Sequence, residues 1–386
     1  MKAIITADLH WGAKSPSVLL EELNETLMKD LENMSELDAF IIAGDIFDSR
    51  QWLSSDVVDV AMEWFFRLQD LVYTKLNGFI VLIKGTRNHD GDQLKLVYKI
   101  LQDRIPNSIY LCDSVREIGI VSNDDEETTD ILCIPEEYIS DQDLYYKDYF
   151  NKKYDLVIGH GMIDKIWYAK DDKDKYGSTS ILSAPVFELD KLLDIGKYVY
   201  FGHVHVHKRY KERFQYIGPI SSWDFGNTHA GYIYLDYCPD TKSIREEKYI
   251  KNTKAPKFQT KSISIQEEIS LEDFNNKIYE MVEQAHLENV SKLKIVVNLY
   301  PNVSNFKVLK DYINNMIGTT DFLTISLNTD IVVGDEKIST SSDSVENIKP
   351  IVTDDDLVPA IKDFISRKLN KDRDEETIRK YIGKEW

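Results

Sequence analysis

Five short apolar runs in this 386-residue chain each end, within a residue or three, on an Asp, Asn or His. Asp8 and His10 follow KAIITA, Asp45 follows AFIIAG, and Asn88 with His89 follows FIVLIKGTR. His160 follows LVIG, and His203 and His205 follow YVYFG. A short apolar run bounded by turn residues reads as a buried strand. In layered α/β folds, ligands gather just beyond the carboxyl ends of such strands. Two Asp, one Asn and five His are therefore expected on one edge of one sheet. That set has the chemistry to hold a pair of divalent metals.

Imidazole, carboxylate and amide oxygen together suit Mn, Fe or Zn better than calcium. In Asp8-x-His10 both side chains fall on one side of an extended segment. In GDIFD (residues 44–48) Gly44 allows a tight turn, and the Asp45 carboxylate can bridge two cations. Asp48 reads as a turn former or as a residue that supports a ligand. GTRNHD (residues 85–90) offers the Asn88 amide oxygen and the His89 imidazole, with Arg87 able to contact a phosphate. GHG (159–161) and GHVH (202–205) offer three more imidazoles. His207, two further along in HVHVH, would share that face by alternation, whereas His229 and His286 look incidental. Two metals about 3.5–4 Å apart clamp the attacking and leaving oxygens of a phosphoester. They also lower the pKa of bound water, and a histidine that is not a ligand can protonate the leaving group.

The elements that must position these residues are legible as periodicity. Leu19, Leu20, Leu23, Leu27, Leu31 and Met34 recur at helical spacing and predict an amphipathic helix over 17–34. VVDVAMEWFFRLQDLV (57–72) predicts a second, very apolar helix. Its Trp64, Phe65 and Phe66 belong either in the core or in a dimer interface, because so much apolar surface must be covered. Alternation of strand and helix points to a layered α/β fold. RFQYIGPISSW, AGYIYLDY and IREEKYI read as strands of a second sheet packed on the first. Polar KNTKAPK (251–257) is the best domain boundary. Beyond it FQTKSISI, a helix at 271–286, KLKIVVNLY, a helix near 306–316 and FLTISLNT predict a small β-α-β-α-β domain. SDSVENIKPIVTDDDL (342–357) reads as an acidic linker, followed by helix-like LVPAIKDFISRKL and EETIRKYIGKEW. NDDEETTD (123–130) reads as an acidic hairpin tip.

The chain length suits two or three domains, and a hydrophobic fraction of 42% supplies a packed interior. No run approaches the roughly 20 apolar residues that cross a bilayer, and the first run is too short for a signal peptide. Cys112, Cys133 and Cys238 lie far apart with no CxxC pair. Reduced thiols are expected, in the cytoplasm of a cell or of a virus's host. A net charge of −19 excludes the broad basic surface usual in nucleic-acid binders. It leaves room for a local positive channel made partly by bound metal.

The ordered set D-x-H, GD-x-x-D, N-H-D, GH and GH-x-H, over residues 8–205, resembles the calcineurin-like metallophosphoesterases. The resemblance implies a four-layer α/β fold, two packed β-sheets flanked by helices, with a small α/β capping domain and C-terminal helices. It implies that Asp8, His10, Asp45 and His205 hold one metal, and that Asp45, Asn88, His160 and His203 hold the other. His89 would be the catalytic acid or orient the phosphate, with Asp48 and Arg87 beside it. The family usually reads G-N-H-[DE]; here Thr86 and Arg87 separate Gly85 from Asn88, so the turn must differ locally.

Within that family, IIAGDIFDSR and YIGPISSWDFG (216–226) are similar to the SbcD type, the nuclease subunits of DNA-end-processing complexes and their phage counterparts. Pro219 stands where Ser is commoner. This resemblance implies a DNA nuclease, a 3′-to-5′ double-strand exonuclease and single-strand endonuclease. Its cofactors would be two Mn2+ ions, with Mg2+, Fe2+ or Zn2+ as alternatives. Its partners would be DNA and an SbcC-like SMC-family ATPase, in a homodimeric assembly away from membranes. The implied domains are a nuclease over 1–252, a DNA-capping domain over 258–335, a linker over 336–355 and an ATPase-binding helical segment over 356–386. Those last helices could instead cap the small domain. The alternative function is a phosphatase or small phosphodiesterase acting on nucleotides or phosphoproteins. A binding module without chemistry is disfavoured because every ligand position is filled.

Overall fold

Ala39, Phe40, Ile41, Ile42 and Ala43 are all inaccessible to solvent, so the strand they form is covered on both faces. Such strands belong to parallel sheets inside layered folds. The structure, a computed structural model, describes residues 1–52, 55–122, 127–164, 166, 185–223, 225, 229–320 and 322–329. The chain separates into two units, Met1–Ala255 and Pro256–Trp386.

In the first unit β1 (Lys2–Thr6), β2 (Ala39–Ala43), β3 (Phe79–Ile83) and β4 (Ile109–Cys112) run parallel. β5 (Arg116–Val121) and β6 (Thr128–Ile134) form an antiparallel pair, and β7 (Tyr154–His160) lies parallel to β6. A small pair, β8 (Met162–Ile163) and β9 (Val186–Phe187), follows. β10 (Gly196–Gly202), β11 (Lys208–Tyr210) and β12 (Phe214–Tyr216) complete a second sheet in the order β11-β12-β10-β7-β6-β5. β13 (Gly231–Cys238) and β14 (Ser243–Lys251) return to the first sheet, which reads β14-β13-β1-β2-β3-β4.

That return corrects the sequence reading, which put AGYIYLDY and IREEKYI in the second sheet along with RFQYIGPISSW. β13 is apolar on both faces: Ile233, Leu235 and Tyr237 enter the layer between the sheets, while Tyr232 faces the helices. Such a strand needs a place inside the sandwich, and pairing antiparallel with β1 gives it one. The same pairing covers an edge that would otherwise offer free backbone groups.

Alternation along each strand builds the layers. Ala3, Ile5, Ile41, Val81 and Ile83 from the first sheet meet Ile131, Leu156, Ile158 and Tyr200 from the second. The outer residues of the first sheet, Ile4, Phe40, Ile42, Ile80 and Leu82, pack on α1 (Pro16–Leu23), α2 (Lys29–Asn33), α3 (Asp56–Gln69) and α4 (Gln93–Arg104). On the far side, after the short exposed α5 (Gln142–Tyr145), Leu132, Val157, Val199 and Phe201 pack among Tyr146 and residues of α6 (Lys147–Phe150) and α7 (Leu189–Ile195). The result is a helix–sheet–sheet–helix sandwich. α1 continues through a π-helical turn (Asn24–Met28) into α2, which keeps Leu19, Leu23, Leu27 and Leu31 buried. A strict four-residue spacing drifts around a helix of 3.6 residues per turn, and the wider π turn corrects that drift.

In the second unit β15 (Phe258–Ile265), β16 (Lys292–Leu299) and β18 (Leu323–Asn328) are parallel, with β17 (Gly318–Thr319) antiparallel at the edge. Leu293, Ile295, Val297 and Leu299 pack against Phe274 and Ile278 of α8 (Leu271–Leu287) and Leu309 and Ile313 of α9 (Phe306–Met316). The tip at 123–126, the linker at 336–355 and the helical segment at 356–386 lie outside the described residues. No helix among the described residues is long and apolar enough to cross a membrane. All three cysteines are free and buried.

α3 starts where the Ser55 hydroxyl accepts from the Val58 N–H. Its Trp64 and Phe65 are fully buried within this chain, so the dimer-interface reading fails for both. Trp64→Ala should cost about 3–5 kcal/mol of stability. Urea unfolding is the check, and the midpoint should fall equally at every protein concentration.

Candidate metal centre

The carboxyl ends of five strands converge, but on two sheets rather than the single edge expected. Asp8, His10, Asp45, Asn88 and His89 follow strands of the first sheet; His160, His203 and His205 end or follow strands of the second. Glycine lets the two edges touch. A Cβ on Gly44, whose φ is 84°, would lie 2.1 Å from His160 Nδ1, and one on Gly202 would lie 2.3 Å from the Ala43 carbonyl oxygen.

Two groups of donors result. Asp8, His10, Asp45 and His205 bring one ligand atom each within 4.8 Å of one another, and so do Asp45, His160 and His203. Asp45 belongs to both. Its Oδ2 lies 3.2 Å from His160 Nε2, 3.4 Å from His89 Nδ1 and 3.8 Å from His10 Nε2. His10 Nε2 and His205 Nε2 are 3.0 Å apart. Two nitrogens bound to one ion at roughly 2.1 Å are about 3.0–3.4 Å apart, so this spacing suits a shared cation.

Asp8 Oδ2, His160 Nε2 and His203 Nδ1 are buried without a hydrogen bond. A buried polar atom left so costs about 1–3 kcal/mol. Three such atoms converging on one region mark donors shaped for a cation, and imidazole with carboxylate fits Mn, Fe or Zn. The set therefore fits a pair of divalent metals.

The backbone at Asp8-x-His10 is not the extended segment expected from the sequence, because β1 ends at Thr6 and both residues turn left-handed. Asp8 (φ 51°), His10 (49°), Asp45 (49°) and His203 (88°) all adopt the left-handed region. Each such residue costs on the order of 1–3 kcal/mol and persists only where its surroundings over-determine it. Here the Asp8 N–H donates to the Gly44 carbonyl and the His10 N–H to the Asp45 carbonyl, both at 3.0 Å. The His203 N–H donates to Asp8 Oδ1, also at 3.0 Å. His160 Nδ1 sits 2.8 Å from the Ala43 carbonyl, which holds that nitrogen as the protonated one and leaves Nε2 as the ligand atom.

Burial raises the Asp8 carboxyl to about 6, although His160 works the other way. Burial also works against charge on Asp45, yet His160, His10 and His89 hold it well below the usual carboxylate range. Burial would lower His160, but Asp45, Asp8 and Glu136 hold it well above its ordinary value. Burial, aided by His10, depresses His205 to about 3, so its imidazole stays in the neutral, metal-binding form.

Asp48 Oδ1 lies 3.3 Å from His10 Nδ1 and orients that ring. His89 is partly buried, its ring 4.9 Å from that of His10. Arg87 and Asn88 are exposed on the turn and stay outside the buried cluster. His207 leaves it too: its Nδ1 lies 3.1 Å from the Ile217 carbonyl and its ring stacks on Tyr249.

Three neighbours were not assigned from sequence. Asp90 is fully buried and accepts from the N–H groups of Ile46, Phe47 and Gly85, pinning the loops after β2 and β3. Burial and nearby Asp45 push its carboxyl up to about 7. Its signal was the final residue of GTRNHD. Trp223 sets its ring 4.7 Å from that of His10 and 5.2 Å from that of His205. Glu136, almost fully buried, follows β6 by two residues, a sixth strand end with the same signature as the other five.

Gly44→Ala should weaken Mn2+ binding at least about tenfold, because the new methyl displaces His160 from a strained turn. Calorimetric titration with Mn2+ is the measurement.

Residues 1–207 match the family described as calcineurin-like phosphoesterase. No curated protein matches the chain. Among solved structures, a chain described as a novel phosphatase from Mycoplasma pneumoniae is similar over 65% of this chain and 92% of its own. Its identity is 10% and its TM-score 0.37. The family match spans more than half of the sequence and takes in both donor groups. On that ground the chain belongs to the calcineurin-like phosphoesterase family.

Proposed function

We propose that the chain is a Mn2+-dependent DNA nuclease subunit, a 3′-to-5′ exonuclease and single-strand endonuclease that works with an SMC-like ATPase on DNA ends. The observation that carries phosphoester hydrolysis is the Asp45 carboxylate shared by two donor groups. When bound, the two ions polarise the phosphoester and make a strong nucleophile available near neutral pH. Asp45 links the two groups, and Asp48 fixes the His10 ring. Partly exposed His89, 3.4 Å from Asp45 Oδ2, is the group placed to give a proton to the leaving oxygen.

DNA as the substrate is supported by where the SbcD-like segment lies. Pro219 bridges to Ala7 at the end of β1, and Trp223 packs on two metal-binding candidates. An indole beside the reaction centre can stack on a base. The charge of −19 fits a subunit whose ATPase partner contributes much of the grip on DNA. The same charge also favours a second reading, a phosphatase or small phosphodiesterase whose substrate needs no basic track. Residues 356–386 are proposed to dock the ATPase, and the whole is proposed to act as a cytoplasmic homodimer.

Cleavage of end-labelled duplex and of a nitrophenyl phosphate monoester, with Mn2+ or Mg2+, separates the readings. Faster monoester hydrolysis would replace the first by the second. His89→Ala should lower kcat by about 10²–10⁴, with Mn2+ uptake unchanged in calorimetry. Truncation after residue 346 should abolish co-purification with the ATPase and spare basal Mn2+-dependent cleavage. A truncated protein that still co-purifies rejects the docking assignment.

A further inference from the structure

The turn after β3 carries two extra residues, Thr86 and Arg87, and they change which side chain reaches the second donor group. Thr86 occupies the place beside Asp45: its N–H donates to Asp45 Oδ1 at 2.6 Å, and its hydroxyl lies 3.2 Å from Asp45 Oδ2. Asn88, two residues further on, is exposed. The same Thr86 hydroxyl lies 3.2 Å from Glu136 Oε2. That oxygen is 3.1 Å from His203 Nδ1 and 3.6 Å from His160 Nε2. Both nitrogens are buried without a hydrogen bond, and His160 is fully inaccessible. Donors around one ion at roughly 2.1–2.2 Å have neighbours about 3.0–3.6 Å away, which is the spacing of Glu136 Oε2 from the two imidazole nitrogens.

Glu136 is also held in place from both sides. Its N–H donates to the Lys84 carbonyl at 3.0 Å, tying it to the end of β3, and its Oε1 accepts from the Tyr138 hydroxyl at 2.7 Å. It is 1% exposed. A buried carboxylate whose ion-pair partners among the described residues are two imidazoles is a poor structural choice, because replacing such a group by an apolar one of similar size is often neutral or stabilising.

We propose that Glu136 is a ligand of the second cation, with Asp45, His160 and His203, in the position that an amide oxygen from Asn88 would otherwise fill. The proposal rests on the two-metal reading above. A carboxylate in place of an amide adds one negative charge to the second site. Higher ligand charge strengthens binding of a hard divalent ion, so this site should hold Mn2+ more tightly than an amide-bearing one. Thr86 then acts as a positioning residue, its hydroxyl spanning the two carboxylates.

Mn2+ titration of the full-length protein, by calorimetry and by electron paramagnetic resonance of free and bound Mn2+, tests this without recourse to activity. The wild type should take two ions. Glu136→Gln should keep one ion at wild-type affinity and weaken the other at least tenfold, and Glu136→Asp should recover part of that loss. Asn88→Ala should still take two. Thermal melting of each metal-free variant shows that it is folded. If Glu136→Gln binds both ions like the wild type, or if Asn88→Ala is the variant that loses one, the assignment is overturned. A wild type that binds fewer than two ions overturns the two-metal reading and this assignment with it. Two ions without DNA cleavage would reject only the proposed substrate.

Discussion

The Asp45 carboxylate is the group on which the rest of the centre depends. It is 3% exposed, and three imidazoles, a backbone N–H and a hydroxyl crowd its two oxygens. An ionised carboxylate removed from water is very costly unless opposite charge or donors surround it. The chain answers by bringing donors from both sheets to one point. Glycines at 44 and 202 permit the approach, left-handed backbone at Asp8, His10, Asp45 and His203 aims the side chains, and the Asp90 carboxylate ties the two flanking loops together. Each of these is locally unfavourable or needs a special residue. Together they make sense as a frame for cations.

The packed sandwich underneath supplies the rigidity that such a frame requires. Ile41, Ile158 and their neighbours fill the layer between the sheets, directly below the ends of β2 and β7. Interiors packed like this transmit displacements rather than absorb them. A two-residue change in the turn after β3 therefore cannot be smoothed away. Thr86 meets Asp45 from that turn, and its hydroxyl also reaches the Glu136 carboxylate beyond the end of β6.

A strongly acidic chain with a family match to phosphoesterases poses an electrostatic question that the local geometry answers in part. Polyanionic substrates are repelled by the bulk of this surface. The centre itself is built of groups that concentrate positive charge when ions bind, and the Trp223 ring lies against two of them, His10 and His205. Recognition by stacking and by metal is compatible with an acidic exterior in a way that broad ionic grip is not.

Much of this was legible in the primary structure. Apolar runs such as AFIIA and YVYFG carry a strand signature, and residues able to bind metal stand at their ends. Helical spacing at Leu19, Leu23, Leu27 and Leu31 marked the crossover helix, though not its π turn. The elements of 258–329 were also plain from period and turn residues. Glu136 carried the same strand-end signature after ILCI, yet one carboxylate in PEE does not stand out among 66 acidic residues. The sequence by itself determined which side chains are offered at strand ends and what chemistry they can perform. Only the tertiary structure decided that β7 and β10 belong to a second sheet, that β13 returns to the first, and that Thr86 and Glu136 stand against Asp45 and the imidazoles while Arg87 and Asn88 are exposed on the turn and His207 stacks on Tyr249. The physical reason is that alternation and turn chemistry are local, whereas sheet membership and the meeting of donors depend on which faces pack together across long stretches of chain.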